Sequence, residues 1–177
     1  MPTFVALLRG VNVGNNALPT QRLRDIFAEL GAKEVQTYIQ SGNVVFEGKG
    51  TAARWQRVIE ARLKGEARLP VAAIVLRALD LERMIAANPF VDDQSVDQSK
   101  LHATLLVKMA PKTTQAFLDG LRRGEERVKV AGKTVFLYCP HGYGTSKLTN
   151  VAVEKAVGTK ATTRNWRTLE RLAEMAG

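Results

Sequence analysis

Four short clusters hold the residue types best suited to binding or transforming a ligand. In Thr162-Thr163-Arg164-Asn165-Trp166-Arg167-Thr168, Arg164 and Arg167 offer forked donors that match phosphate or carboxylate. Asn165 suits the cap of a following helix, and Trp166 fits the core better than a base-stacking role. Cys139-Pro140-His141-Gly142-Tyr143-Gly144-Thr145-Ser146-Lys147 joins a predicted strand to a predicted helix. A glycine-rich entry to a helix presents backbone N–H groups, so with Ser146 and Lys147 it reads either as an anion cradle or as a loop that Ser146 caps. Arg9-Gly10-Val11-Asn12-Val13-Gly14 places a guanidinium and a carboxamide at the end of an apolar run, where Arg9 would face a cleft. Gln40-Ser41-Gly42-Asn43 gathers uncharged hydrogen-bonding groups at one turn, which serves equally as a hairpin tip or as a ligand-facing edge, with Ser41 and Asn43 the candidates there.

The same residues exclude several chemistries. The order G-x-x-x-x-G-K-[ST] is absent, so nucleoside triphosphatase chemistry is not expected, and no G-x-G-x-x-G follows the first strand. His102, Cys139 and His141 lack the paired spacing of a zinc site, so neither a metal nor a cofactor is expected. No G-x-S-x-G occurs, and Ser146-Lys147 is adjacent rather than S-x-x-K. No residue is therefore assigned a catalytic role. Gly42-Asn43-Val44-Val45-Phe46 overlaps an RNA-recognition signature, but Asn43 stands where a stacking aromatic belongs, and an aromatic content of 6% leaves few stacking surfaces.

The chain's charge narrows the partner. Its 177 residues carry a net +9 with a pI near 10.0, which favours an anionic partner: a phosphate-bearing ligand, nucleic acid or an acidic protein. The excess is concentrated late in the chain, for Arg127 to Gly177 holds nine Lys/Arg against Glu154, Glu170 and Glu174. An apolar fraction of 45% and a charged fraction of 24% are those of a soluble globular protein. No apolar run approaches the roughly 18 residues of a membrane span, and the N-terminus lacks the pattern of a signal peptide, so no membrane partner is expected. Cys139 is the single cysteine, which excludes an intramolecular disulfide and fits a cytoplasmic location.

The elements that must position these clusters follow from hydrophobic period. Phe4 to Leu8 reads as a buried strand. Leu23, Ile26, Phe27 and Leu30 recur at helical spacing and end at Gly31. Val35 to Ile39 and Val44 to Phe46 form a hairpin. Thr51 caps a helix with Trp55, Val58, Ile59 and Leu63 on its inner face, and Val71 to Leu76 is a further strand. Strand, helix, strand, strand, helix, strand is the ferredoxin-like βαββαβ order. A connecting helix capped by Asp80 ends at Asn88-Pro89, and polar Asp92 to Ser99 forms a linker.

A second round then opens with a strand at Leu101 to Val107, a short helix from Thr113 or Thr114 to Leu121, and a hairpin of Arg127 to Val130 with Thr134 to Tyr138. Ala6-Leu7-Leu8 against Thr104-Leu105-Leu106, and Val45-Phe46 against Val135-Phe136, suggest duplication. The second half closes with two helices, from about Ser146 to Val157 and from Asn165 to Met175, with no final strand. The predicted architecture is α+β: two ferredoxin-like halves with antiparallel sheets and helices on one face, residues 1–78 and 100–177, joined by 79–99.

Leu8 to Gly14, Thr37 to Phe46, Asn88-Pro89-Phe90, Ser146-Lys147-Leu148 and Thr162 to Thr168 together resemble the bacterial domain-of-unknown-function family numbered 1697. The resemblance spans nearly the whole chain. It implies a cytoplasmic protein of two ferredoxin-like halves and implies no activity.

The leading expectation is a protein that binds an anionic partner. Lys147, Arg164 and Arg167 would supply charge, and Ser146 and Asn165 hydrogen bonds at helix starts. An enzyme acting on a small phosphorylated or carboxylated metabolite is the alternative, and it requires Arg9, Asn12, Ser41 and Asn43 to share one cleft with the basic groups. A structural scaffold is the third, with these residues tying the fold together.

Overall fold

The computed structural model describes residues 1–12, 17–39, 42–67 and 71–177. The chain divides into two compact units, Met1–Arg83 with Arg171–Gly177, and Met84–Glu170.

The first unit runs β1 (Thr3–Arg9), α1 (Thr20–Glu29), β2 (Lys33–Tyr38), β3 (Asn43–Glu47), α2 (Ala52–Ala67) and β4 (Ala72–Arg77), followed by α3 (Ala78–Ala86). Its sheet order is β2-β3-β1-β4, antiparallel throughout, which is the ferredoxin-like arrangement. The apolar run of β1 takes the centre because both its faces are buried. Phe4, Ala6 and Leu8 point to the helix layer, where they meet Phe27, Phe46, Trp55 and Ile59. Val5, Leu7 and Arg9 lie on the opposite face with Val45, Asn43 and Ile74, as the register of β1 with β3 and β4 requires.

Local signals explain most boundaries. Gly31, at φ 91°, ends α1, and the Thr51 hydroxyl accepts from the Arg54 N–H at 3.1 Å to start α2. Asp80 falls in the first turn of α3 rather than before it, so it complements the helix dipole instead of capping.

The second unit runs β5 (Leu101–Leu106), α4 (Thr114–Asp119), β6 (Arg127–Ala131), β7 (Thr134–Tyr138), α5 (Asn150–Val157), β8 (Ala161–Asn165) and the start of α6 (Trp166–Ala176). Its sheet order is β6-β7-β5-β8. The suspected duplication is thereby seen in topology: β1 and β5 hold one sheet position, β3 and β7 the next.

One element was not anticipated. A final strand, β8, separates the two C-terminal helices and completes the second βαββαβ unit. Ala-Thr-Thr-Arg-Asn has no apolar alternation, and its strand identity comes from pairing with β5, where the Thr104 and Thr163 hydroxyls stand 2.7 Å apart. The preceding helix also starts later than expected. Thr149, not Ser146, is its N-cap and accepts from the Ala152 N–H at 3.1 Å.

Polar Asp92 to Ser99 is ordered by two successive turns. Asp93 accepts from the Ser95 N–H and hydroxyl, and Asp97 does the same with Ser99. Asp93 also takes the Arg127 guanidinium at 2.6 Å. These bonds, Ser95's first among them, hold the Asp93 carboxyl well below the usual range.

Candidate anion-binding site

The β8–α6 junction carries Arg164, Asn165 and Arg167, with Arg164 and Asn165 on opposite faces of β8 as their pairing with Ala103 and His102 requires. Arg164 pairs in register with Ala103 of β5, so its side chain leaves the sheet on the face opposite α4 and α5. Its Nη1 donates to the Thr162 hydroxyl at 2.7 Å and to the Thr163 carbonyl at 3.1 Å. Withdrawal from water pushes the guanidinium pKa down to about 10. The charge persists at neutral pH in a poorly solvated place. The Asn165 carboxamide oxygen then accepts from the Arg167 N–H at 3.0 Å, starting α6 and leaving the Arg167 side chain exposed. Trp166 between them is fully buried, its ring 6.2 Å from Phe136, and so belongs to the core.

The glycine-rich loop is built onto the other face. Tyr143 stacks on His102 with ring centroids 4.8 Å apart, and its hydroxyl accepts from the Asn150 N–H at 2.8 Å. The Asn150 carboxamide accepts from the Thr163 hydroxyl at 2.9 Å and donates to the Ala161 carbonyl at 3.0 Å. Cys139, Leu148 and Val153 enter the core under the helices. Ser146 is buried, and its hydroxyl accepts from the Leu148 N–H at 3.0 Å, so it shapes the loop rather than a helix start. Lys147 is exposed on this loop. Arg164 and the Ser146–Lys147 pair therefore serve opposite faces of one sheet. Tyr143, Asn150 and Thr104, which make this network, carried no sequence signal beyond the Thr-Asn step at a helix start.

In the first unit, Arg9 ends β1 opposite Ala72. Asn12 takes a left-handed conformation at φ 57°, which asparagine tolerates, and its carboxamide oxygen accepts from the Leu18 N–H at 2.7 Å. Asn43 is fully buried and donates to the Tyr38 carbonyl at 3.0 Å across the hairpin. Gly42, at φ 80°, completes the turn, and a Cβ there would stand 2.8 Å from Leu8 Cβ. Ser41 lies outside the described residues.

His102 is partly buried, which lowers its pKa, and burial likewise raises that of the Cys139 thiol, the mark of an inert core cysteine. Among the described residues no group of three or more His, Cys, Asp or Glu could hold a metal ion. No helix among the described residues is long and apolar enough to cross a membrane.

Comparison with solved structures finds the same fold in the conserved bacterial protein SP0830 from Streptococcus pneumoniae, with a TM-score of 0.76, 21% identity and 99% of each chain covered. Among curated proteins nothing matches. A model of the family described as "Protein of unknown function (DUF1697)" matches residues 1–136, well over half of the sequence, and the chain belongs to that family.

Proposed function

We propose that the chain binds an anionic partner, a phosphate-bearing ligand foremost, through Arg164, Asn165 and Arg167. The observation that supports this most is the state of Arg164. Holding a cation away from water costs free energy, and strongly perturbed groups concentrate at functional sites. The planar fork of an arginine suits a phosphate or carboxylate. Exposed Arg167 one helical step away adds a second donor, and the basic excess of residues 127–177 draws anions toward this unit. The reading is binding rather than catalysis, because two guanidinium groups and a carboxamide are groups that hold an anion, and none of them is a nucleophile or a general base at neutral pH. A lone buried thiol fits a reducing cytoplasm.

Thermal-shift titration with inorganic phosphate, phosphosugars and nucleotides, with anisotropy of labelled RNA and DNA oligonucleotides, tests it. A ligand raises the melting temperature by mass action, and a nucleic acid binds with an affinity that falls steeply with salt. Arg164→Gln should reduce affinity about tenfold or more, the value of a charge-assisted hydrogen bond, while leaving the melting temperature near wild type. The scaffold reading draws on the Thr162 and Thr163 bonds, and it predicts the reverse: a large drop in melting temperature and no ligand response.

A further inference from the structure

The first unit contains a basic cleft that none of the sequence motifs touches. It has a volume of about 550 Å³, and Leu30, Lys33, Lys49, Gly50, Arg54 and Trp55 form most of its wall. Every charged side chain in that wall is a cation. Elsewhere in this unit Arg22 and Arg62 are neutralised by Glu29 and Glu66. Lys33, Lys49 and Arg54 make no ion pair among the described residues.

Lys33 opens β2, Lys49 follows β3 and Arg54 lies in the first turn of α2, so three elements bring three charges to one cleft. The Arg54 guanidinium carbon sits 5.3 Å from the Trp55 ring centroid, and a cation so placed is held by the ring's negative face. Gly50, at φ 100°, leaves room for this: a Cβ there would lie 3.2 Å from Arg54 Cδ. The indole itself is almost wholly buried, and its Nε1–H has no hydrogen-bond partner among the described residues. A volume of this size falls within the range of small-molecule sites, roughly 300–1,000 Å³.

We propose that this cleft binds a compact phosphate-bearing small molecule with at least two negative charges, of pyrophosphate to nucleoside diphosphate size. Lys33 and Lys49 supply mobile point charges, and Arg54 supplies the forked contact. The three cations line one open cleft of small-molecule size, and its wall holds a single aromatic ring, Trp55, that is buried in the core, so no row of stacking surfaces is offered to a nucleic-acid strand. The site is independent of the Arg164 junction.

Isothermal titration of the whole chain with inorganic pyrophosphate and with ADP tests the assignment. Saturable binding of at least one is expected, weakened about tenfold by Lys33→Ala or Lys49→Ala and further by the double substitution. Both lysines are exposed, so these variants should melt with the wild type. Arg164→Gln should leave this binding within about twofold, because Arg164 is not among the residues that line the cleft. Absence of heat with both probes overturns the proposal, as does binding indifferent to the lysine variants. Binding abolished only by Arg164→Gln also overturns it while sustaining the reading of the second unit, and single-stranded RNA binding that is tighter than that of ADP and weakened by the lysine substitutions would overturn the ligand class.

Discussion

The two units share a topology and dispose of their charge differently. In the first, the two long helices of 10 and 16 residues are tied across their surface by Arg22, Arg62, Glu29 and Glu66, each arginine meeting both carboxylates. In the second, helices of 6 and 8 residues meet through Leu118, Val153 and Val157, and polar side chains reach inward to the sheet. One device is common to both. Glu60 of α2 accepts from the Ala73 N–H of β4 at 2.9 Å, and Glu154 of α5 accepts from the Ala161 N–H of β8 at the same distance. Both strands are sheet edges, so in each unit a glutamate covers one exposed edge donor. The repeat thus preserves how edges are satisfied, while the ion-paired network that ties the two helices together belongs to the first unit.

The largest expected effect lies in the aromatic core of the first unit. A Cβ on Gly48 would stand 2.3 Å from Trp55 Cζ2, and the indole is locked against Phe4 and Phe46. Gly48→Ala should destabilise by about 3 kcal/mol in urea unfolding, the upper part of the range for overpacking. Its counterpart in the second unit is polar: Asn150→Ala removes a donor from the Ala161 carbonyl and leaves the Thr163 hydroxyl with Thr104 alone, and should cost about 2 kcal/mol in the same measurement. The shared glutamates provide the control. Glu60→Ala and Glu154→Ala should each cost about 1–2 kcal/mol, and a large inequality would show that the device is not equivalent in the two units.

Acid pH sharpens the contrast further. Hydrogen bonds from Arg22, then Arg62, lower the Glu66 pKa to about 2, and the same arginines lower that of Glu29. A depressed carboxyl stabilises the fold above its unfolded pKa of about 4.5 and loses that contribution as pH falls toward 2. The melting temperature should therefore decline over this interval, and Glu66→Gln should flatten part of the decline. The effect is the smallest of the set, because all four groups are solvent-accessible and salt screens them.

Much of this architecture is legible from periodicity alone. β1, α1, both hairpins and α2 announce themselves through apolar spacing, glycine at positive φ and a threonine cap, all local physics. β8 does not, because Thr162, Thr163 and Arg164 become a strand only by pairing with β5 across the chain. Ser146 misleads for a related reason: a Ser-Lys-Leu step after glycines looks like a helix start, yet Thr149 wins the cap and Ser146 closes a turn. At the candidate site, Arg164, Asn165 and Arg167 stand out in the sequence by residue type alone. Which face each side chain occupies does not, since that depends on strand register. The cleft around Lys33, Lys49 and Arg54 left no sequence signal because its cations come from three separate elements.

The central claim is that Arg164 of the second unit meets an anion whereas Arg22 of the first is held by carboxylates. Parallel thermal-shift titrations of Arg164→Gln, Arg22→Gln and their parent, all in a Lys33→Ala/Lys49→Ala background that removes binding at the cleft of the first unit, with the same phosphorylated compounds and oligonucleotides test it most directly. The account predicts that the ligand-induced rise in melting temperature survives in Arg22→Gln and is lost in Arg164→Gln. A rise that persists undiminished in Arg164→Gln would contradict it.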